Sequence, residues 1–177
     1  MLKKLLGLLA ILLVVFLVAA AMQPEDFRVT RSTTISAPSS ALYAIVNDSH
    51  KWDAWSPWSK LDPAMKTSFE GPPTGVGAVY AWSGNSEVGE GKSTIVESIP
   101  NEKVALKLEF IRPFAGVNDV EFLLKPVGDQ TTISWTMSGK KNFIAKALGL
   151  VMNCDKMVGG QFEQGLANLK TLAEGTK

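Results

Sequence analysis

Three consecutive segments late in the chain alternate apolar and polar residues with a period of two, and few architectures can use that pattern. Val104, Leu106, Leu108 and Phe110 oppose Lys107 and Glu109; Val120, Phe122 and Leu124 oppose Asp119, Glu121 and Lys125; Ile133, Trp135 and Met137 oppose Thr132, Ser134 and Thr136. Successive side chains of a strand point to opposite faces, so each segment has one greasy and one wet side. The spacing predicts strands over residues 104–111, 118–127 and 131–140, with further strands at 27–35, 65–70, 78–83 and 91–99. Gly71-Pro72-Pro73, Gly84-Asn85, Pro100-Asn101, Pro113 and Gly128-Asp129 punctuate them as turns. Connections this short join antiparallel neighbours.

A sheet with one apolar face must be covered, and the chain ends with suitable cover. A helix is expected over residues 143–152 and a longer one over 156–174, in which Phe162, Gly165, Leu166, Leu169, Leu172 and Ala173 fall on one side. After the first strand, Ser36-Ala37-Pro38 opens a short helix whose apolar face is Leu42, Ile45 and Val46, proline being tolerated in a first helical turn.

Residues 1–22 stand apart from this material. Lys3 and Lys4 precede an uncharged apolar run from Leu5 to Met22, the signature of a membrane signal. As a helix that run reaches roughly 27 Å, just short of a hydrocarbon core of about 30 Å. The favoured reading is a retained transmembrane anchor, since no polar region separates the run from Ala19-Ala20-Ala21 and Gln23-Pro24-Glu25-Asp26 makes an abrupt polar exit. A cleaved export signal, with the alanines as its small-residue site, is the alternative. Retention of Lys3 and Lys4 on the cytoplasmic side puts the domain outside, on the periplasmic face, or secreted if the leader is removed. The expected organisation is therefore an anchor or signal at 1–22, a linker at 23–26 and one domain at 27–177.

Without the two leader lysines, 16 of the 18 basic residues remain against 17 acidic ones. That balance offers no concentrated basic face for a nucleic acid. One cysteine excludes an internal disulfide and a cysteine-based zinc cluster. With one histidine and dispersed carboxylates, no metal or other cofactor is implied.

The order of elements now joins with particular stretches: "ISAPSSALYAIVND" at 35–48, "WDAWSPW" at 52–58, "GVGAVYAWSG" at 75–84, "ISWTMSG" at 133–139 and "GLANLKTL" at 165–172. Together they resemble the START/polyketide-cyclase (SRPBCC) superfamily, and within it the bacterial polyketide cyclase/dehydrase-like branch that often carries an N-terminal membrane segment. The resemblance spans nearly all of the chain after Phe27. It implies an α+β helix-grip fold: a curved antiparallel sheet of about seven strands around a long C-terminal helix, two short helices after the first strand, and a cavity between sheet and helix. One such fold hosts many activities, so it implies a function only loosely.

Two features bear on the cavity. Gly159, Gly160 and Gly165 lie in or at the start of the final helix, where each costs on the order of 1 kcal/mol relative to alanine. Either they admit bulky neighbours such as Trp135 or their missing side chains leave room for a ligand. Three of the five tryptophans, Trp52, Trp55 and Trp58, recur every third residue beside Pro57, close to the period of a tight single-turn helix. Trp52 and Trp55 read as a plug against Tyr80 or Trp82, with Trp58 nearest a point of entry.

The resulting expectation is a membrane-tethered domain that binds or shields an apolar small molecule or lipid. Candidate lining residues are Trp58, Tyr80 and Trp82; Leu108, Phe110 and Phe122; Trp135 and Met137; and Leu150, Met157 and Phe162 from the terminal helices. The alternatives are a cyclase/dehydrase-like acid–base enzyme and a protein-interaction module with a filled core and an exposed apolar patch. For catalysis the supply of groups is thin. His50 reads as a solvated turn residue, Cys154 sits beside the helix N-cap candidates Asn153 and Asp155, and the serines show no nucleophile-elbow pattern. Glu87, Glu90 and Arg112 are the polar residues whose direction matters, and no catalytic residue is assigned.

Overall fold

Each alternating segment is a strand, and the strands join in one antiparallel sheet. The computed structural model describes residues 2–175, the Cys154 side chain excepted. The strands are β1 (Asp26–Ile35), β2 (Lys66–Glu70), β3 (Val79–Ser83), β4 (Glu90–Ile99), β5 (Lys103–Arg112), β6 (Gly116–Val127) and β7 (Gln130–Lys140), in the order β1-β7-β6-β5-β4-β3-β2. From β2 to β7 every neighbour in space is a neighbour in sequence, as the short turns require. Only β1 crosses to the far side, where Asp26 pairs with Lys140 and Ile35 with Thr131. A register shift between Ile95 and Glu97 marks a bulge where β4 pairs with β5, a device that bends a strand.

The helices are α1 (Leu2–Ala21), α2 (Ser39–Val46), α3 (Phe143–Gly149) and α4 (Cys154–Glu174). Pro38 precedes α2 instead of occupying its first turn, with φ −68° and ψ 150°. The tryptophan segment forms two 3₁₀ turns, Ser49–Ala54 and Trp58–Lys60, broken at Pro57. Asn142 and Asn153 cap α3 and α4, their side-chain oxygens accepting from Ala145 N–H at 2.8 Å and Lys156 N–H at 2.9 Å. Such a cap satisfies one orphan donor of the first turn.

Two halves of the concave face differ. Toward the C-terminal end of α4 the space is solid: Ile35, Leu42, Val46, Val104, Ile133 and Leu169 are fully buried together. Toward the N-terminal end of α4 a hollow remains between helix and sheet. There Arg31 on β1 ties the helix down, with Nε to Glu163 at 2.6 Å and Nη2 to Asp155 at 2.9 Å.

The expected helix over 143–152 stops at Gly149, so Leu150 falls in the turn after it and is exposed. In α4, Phe162, Leu166, Leu169 and Ala173 face inward, and the same face continued one turn back passes through Val158. Met157, expected inside, is turned out and 53% exposed. These two placements correct the expected lining.

Candidate functional site

A hollow of about 250 Å³ lies between the sheet and the N-terminal half of α4, a little under the usual lower bound of about 300 Å³ for ligand pockets. Its depth comes from β3 to β7. Register places Tyr80, Ser93 and Leu108 side by side across β3, β4 and β5, and the small Ser93 leaves space between two larger neighbours. Gly91, one pair further along, serves the indole of Trp82: a Cβ there would stand 2.6 Å from Trp82 Cζ2.

Of the expected lining residues, Trp58, Tyr80, Trp82, Leu108, Phe110, Phe122, Trp135, Met137 and Phe162 surround this hollow, and Leu150 and Met157 do not. Val158 takes the position expected of Met157. Sequence reasoning also missed Met65, Val88, Ser93, Leu106 and Val120 as lining residues. Leu106 and Val120 were legible from their strand faces, and Val158 from its place four residues before Phe162.

Aromatic rings build most of the wall. Trp135 stacks on Phe162 with centroids 4.2 Å apart and planes 8° from parallel, and Trp55 meets Trp135 edge-on at 5.5 Å. Trp55 is 2% exposed, so it belongs to the core as well as to the cavity floor. Trp52 packs on Tyr80 at 5.6 Å and donates its indole N–H to Val46 O at 3.0 Å. Trp58 is half-buried and touches Trp135 and Phe162 edge-on. Within the tryptophan segment, Trp52 and Trp55 pack against their neighbours as a plug and Trp58 lies nearer the surface. Trp58, Met65, Leu108, Phe110 and Val158 are half-exposed and, with the likewise half-exposed Trp52, Ser56 and Trp82, form the mouth side of the lining.

The glycines of α4 do not make the hollow. A Cβ at Gly165 would lie 2.7 Å from Trp135 Cζ3 and 3.2 Å from Pro57 Cδ, and one at Gly159 would run into the Arg31 guanidinium. Gly160 faces open space on the exposed side. Close packing is the reason for the first two, and the ligand-room reading is overturned for all three.

Polar chemistry inside is sparse and one-sided. Among the described residues, three buried polar side-chain atoms have no hydrogen-bond partner: Trp55 Nε1, Trp135 Nε1 and Ser93 Oγ. All three residues line the hollow. An unsatisfied buried donor costs about 1–3 kcal/mol, and an indole N–H can only donate. Tyr80 is pushed up to about 12, by burial first and the nearby Asp53 carboxylate second, so its phenol stays neutral. The one carboxylate on the lining is the exposed Glu87. Glu90 and Arg112 pair with each other outside it, Arg112 Nε donating to Glu90 at 2.6 Å. His50 is exposed, stacked on Phe69 at 4.0 Å and bonded to Asp48 at 3.1 Å. The Cys154 thiol lies outside the described residues. Among the described residues, no group of three or more His, Cys, Asp or Glu could hold a metal ion. A wider but open depression of about 490 Å³, lined by Asp26, Arg28, Asp119 and Lys140 among others, lies at the sheet end where β1 begins.

A family model described as "Polyketide cyclase / dehydrase and lipid transport" matches residues 26–174. No curated protein matches the chain. Among solved structures, a protein from Thermobifida fusca aligns at 19% identity and TM-score 0.63, over 82% of this chain and 92% of that one. The major latex-like protein 151 of Panax ginseng aligns at 12% identity and TM-score 0.61, over 85% and 99%. The di-domain aromatase/cyclase StfQ of the steffimycin biosynthetic pathway aligns at 10% identity and TM-score 0.61, over 86% of this chain and 52% of that one. At these identities the likeness is one of fold.

Proposed function

The chain belongs to the polyketide cyclase/dehydrase and lipid transport family, and from that premise we propose that it binds a neutral, mainly apolar small molecule or lipid in the hollow beneath α4 while tethered to a membrane by α1. Family and fold support hydrophobic ligand binding or a cyclase-like role. The observation that carries the binding reading is the lining itself, a wall of aromatic and aliphatic side chains with three unpartnered buried polar atoms. Trp55, Trp135 and Ser93 line the hollow with their polar atoms occluded, so a ligand oxygen that accepts from one of them, once a side chain shifts to admit it, offsets its desolvation, and the absence of a lysine or arginine on the described lining disfavours a carboxylate or phosphate. Glu87 is the group on which a cyclase/dehydrase-like alternative would draw, since acid–base work needs a base in reach of the reacting atom.

Tethering is supported by α1, which is long and apolar enough to cross a bilayer and stands almost wholly exposed. A cleaved leader passes the same test. With Lys3 and Lys4 held on the cytoplasmic side, the domain lies outside.

Native mass spectrometry of the full chain, released from nanodiscs made with lipids of its own host, tests the reading. A bound species is expected on the natural protein and lost in Leu108→Trp, where an indole at the half-exposed rim fills the hollow. Both proteins at their bare polypeptide masses, with nothing bound to either, would sink the carrier role. Retention of ligand with turnover abolished by Glu87→Gln would instead favour the enzyme.

A further inference from the structure

Six exposed apolar side chains have no use in the cavity, and they gather at one end of the molecule. Phe143, Ile144, Leu148, Leu150 and Val151 lie on α3 and the turn after it, with Val151 71% exposed; Phe114, 54% exposed, lies on the β5–β6 turn. Pairing of Asp26 with Lys140, of Asn118 with Gly139 and of Phe110 with Gly116 sets the start of β1, the end of β7 and the β5–β6 turn side by side. The chain enters this end from α1. We propose that this end of the domain, α3 with its following turn and the β5–β6 turn, seats on the surface of the bilayer that holds α1.

What identifies a lipid surface as the occupant is continuity with α1. Its last turn packs against α3, with Ala20 fully buried. Glu25 fixes the junction twice, its carbonyl accepting from Lys141 N–H at 2.7 Å and its carboxylate from Lys146 Nζ at 3.2 Å. α3 is therefore held within a turn or two of the point where an embedded α1 would leave the hydrocarbon, at the depth where interfacial segments bury apolar side chains.

Charge is consistent with that depth. Glu25, Glu90, Asp119 and Asp155 already have cationic partners, whereas Lys140, Lys141 and Lys156 have no ion pair among the described residues. Asp26, Glu87 and Asp62, which accepts from Asn85 N–H near Glu87, are the carboxylates left to oppose them. Lysines flanking an apolar patch can lay their stems along it and keep the ammonium at the headgroups. Phe110 and Val158, on the cavity mouth, belong to the same end. An apolar ligand would then pass between bilayer and hollow with little exposure to water.

The inference rests on the tether reading, and the test separates the two. Full chain with Cys154→Ala is reconstituted in phosphatidylcholine/phosphatidylglycerol vesicles, and a fluorophore is placed by Leu12→Cys, Val151→Cys, Phe114→Cys or Val127→Cys in turn. Val127 ends β6, beside the β6–β7 turn at the opposite end of the sheet. Spin-labelled lipids are expected to quench Leu12 from deep in the acyl region, and Val151 and Phe114 from the headgroup region several-fold more than Val127. Strong quenching at Leu12, with Val151 and Phe114 as unquenched as Val127, overturns docking and leaves the tether standing. No quenching at Leu12 overturns the tether and docking together. Val151 shielded from aqueous iodide but untouched by lipid quenchers, and crosslinking between chains, would mean a second copy covers the patch and also overturns docking.

Discussion

Three glycines of one helix sit in three different surroundings, and a methyl group added at each would have a different consequence. At Gly165 it meets Trp135 at 2.7 Å and Pro57 at 3.2 Å, both ring atoms held in place by their neighbours. At Gly159 it meets the Arg31 guanidinium, and at Gly160 it meets nothing. Overpacking typically costs 1–3 kcal/mol, and removing an interior helical glycine gains about 0.5–1 kcal/mol. Gly165→Ala should therefore lower stability by about 1–2 kcal/mol and Gly160→Ala raise it by up to about 1 kcal/mol. Urea midpoints at an unchanged m-value check both; a neutral Gly165→Ala would mean that Trp135 can move away, and that the stack with Phe162 is looser than 4.2 Å suggests. The sequence could mark these glycines as costly but could not say which neighbour each admits, because Arg31 and Trp135 reach them from strands distant along the chain.

At the scale of the element, the legible part was whatever repeats. Period two placed β5, β6 and β7 to within two residues, and the helical period placed the inner face of α4 from Phe162 onward. Legibility failed where a period begins or ends. Val158, not Met157, is the residue in phase with Phe162, and Leu150 lies just past a helix that stops one residue earlier. The first turns of α4 are also where the helix depends on side chains, through Arg31, Asp155 and Glu163. Asp155 is held below its ordinary carboxylate range by hydrogen bonding to Arg31. A carboxylate with a depressed folded-state pKa contributes stability above its unfolded value of about 3.9 and loses it as pH falls through the folded one. Hydrogen-exchange protection in the first two turns of α4 should thus hold from neutral pH down to about 4 and weaken below it. In Arg31→Ala the same protection should already be reduced at neutral pH, with the C-terminal turns of α4 unchanged. Uniform loss along the helix would show that the ion pairs do not pin its start.

For the whole molecule, one sheet serves two ends with different demands. Around α2 and the C-terminal turns of α4 the concave face is filled and supplies stability; around the N-terminal turns it is left hollow, walled by rings among which the Trp55 and Trp135 N–H groups lack partners. The one-sided sheet and its covering helix follow from the pattern of apolar faces, and the resemblance to the family added the grip and the cavity between them, so nine residues that surround the hollow could be named in advance. The unpartnered donors could not be read, since whether an indole finds a carbonyl depends on tertiary geometry: Trp52 and Trp82 reach Val46 and Val88, while Trp55 and Trp135 do not. That difference makes the ligand reading testable without knowing the natural ligand. 1-Tetralone and tetralin share a bicyclic skeleton, but only the ketone accepts a hydrogen bond. With the full chain in nanodiscs, a ligand at a hundred times its Kd stabilises by about 2.7 kcal/mol, roughly 5–10 °C in Tm for a domain of this size. The ketone should reach that shift at a concentration about tenfold lower than the hydrocarbon, one hydrogen bond being worth about 1 kcal/mol or slightly more. Trp135→Phe, which keeps a ring against Phe162 and removes the N–H, should shrink the difference while leaving the response to tetralin in place. Equal responses to ketone and hydrocarbon in the natural protein would mean that the unpartnered groups face something other than the ligand.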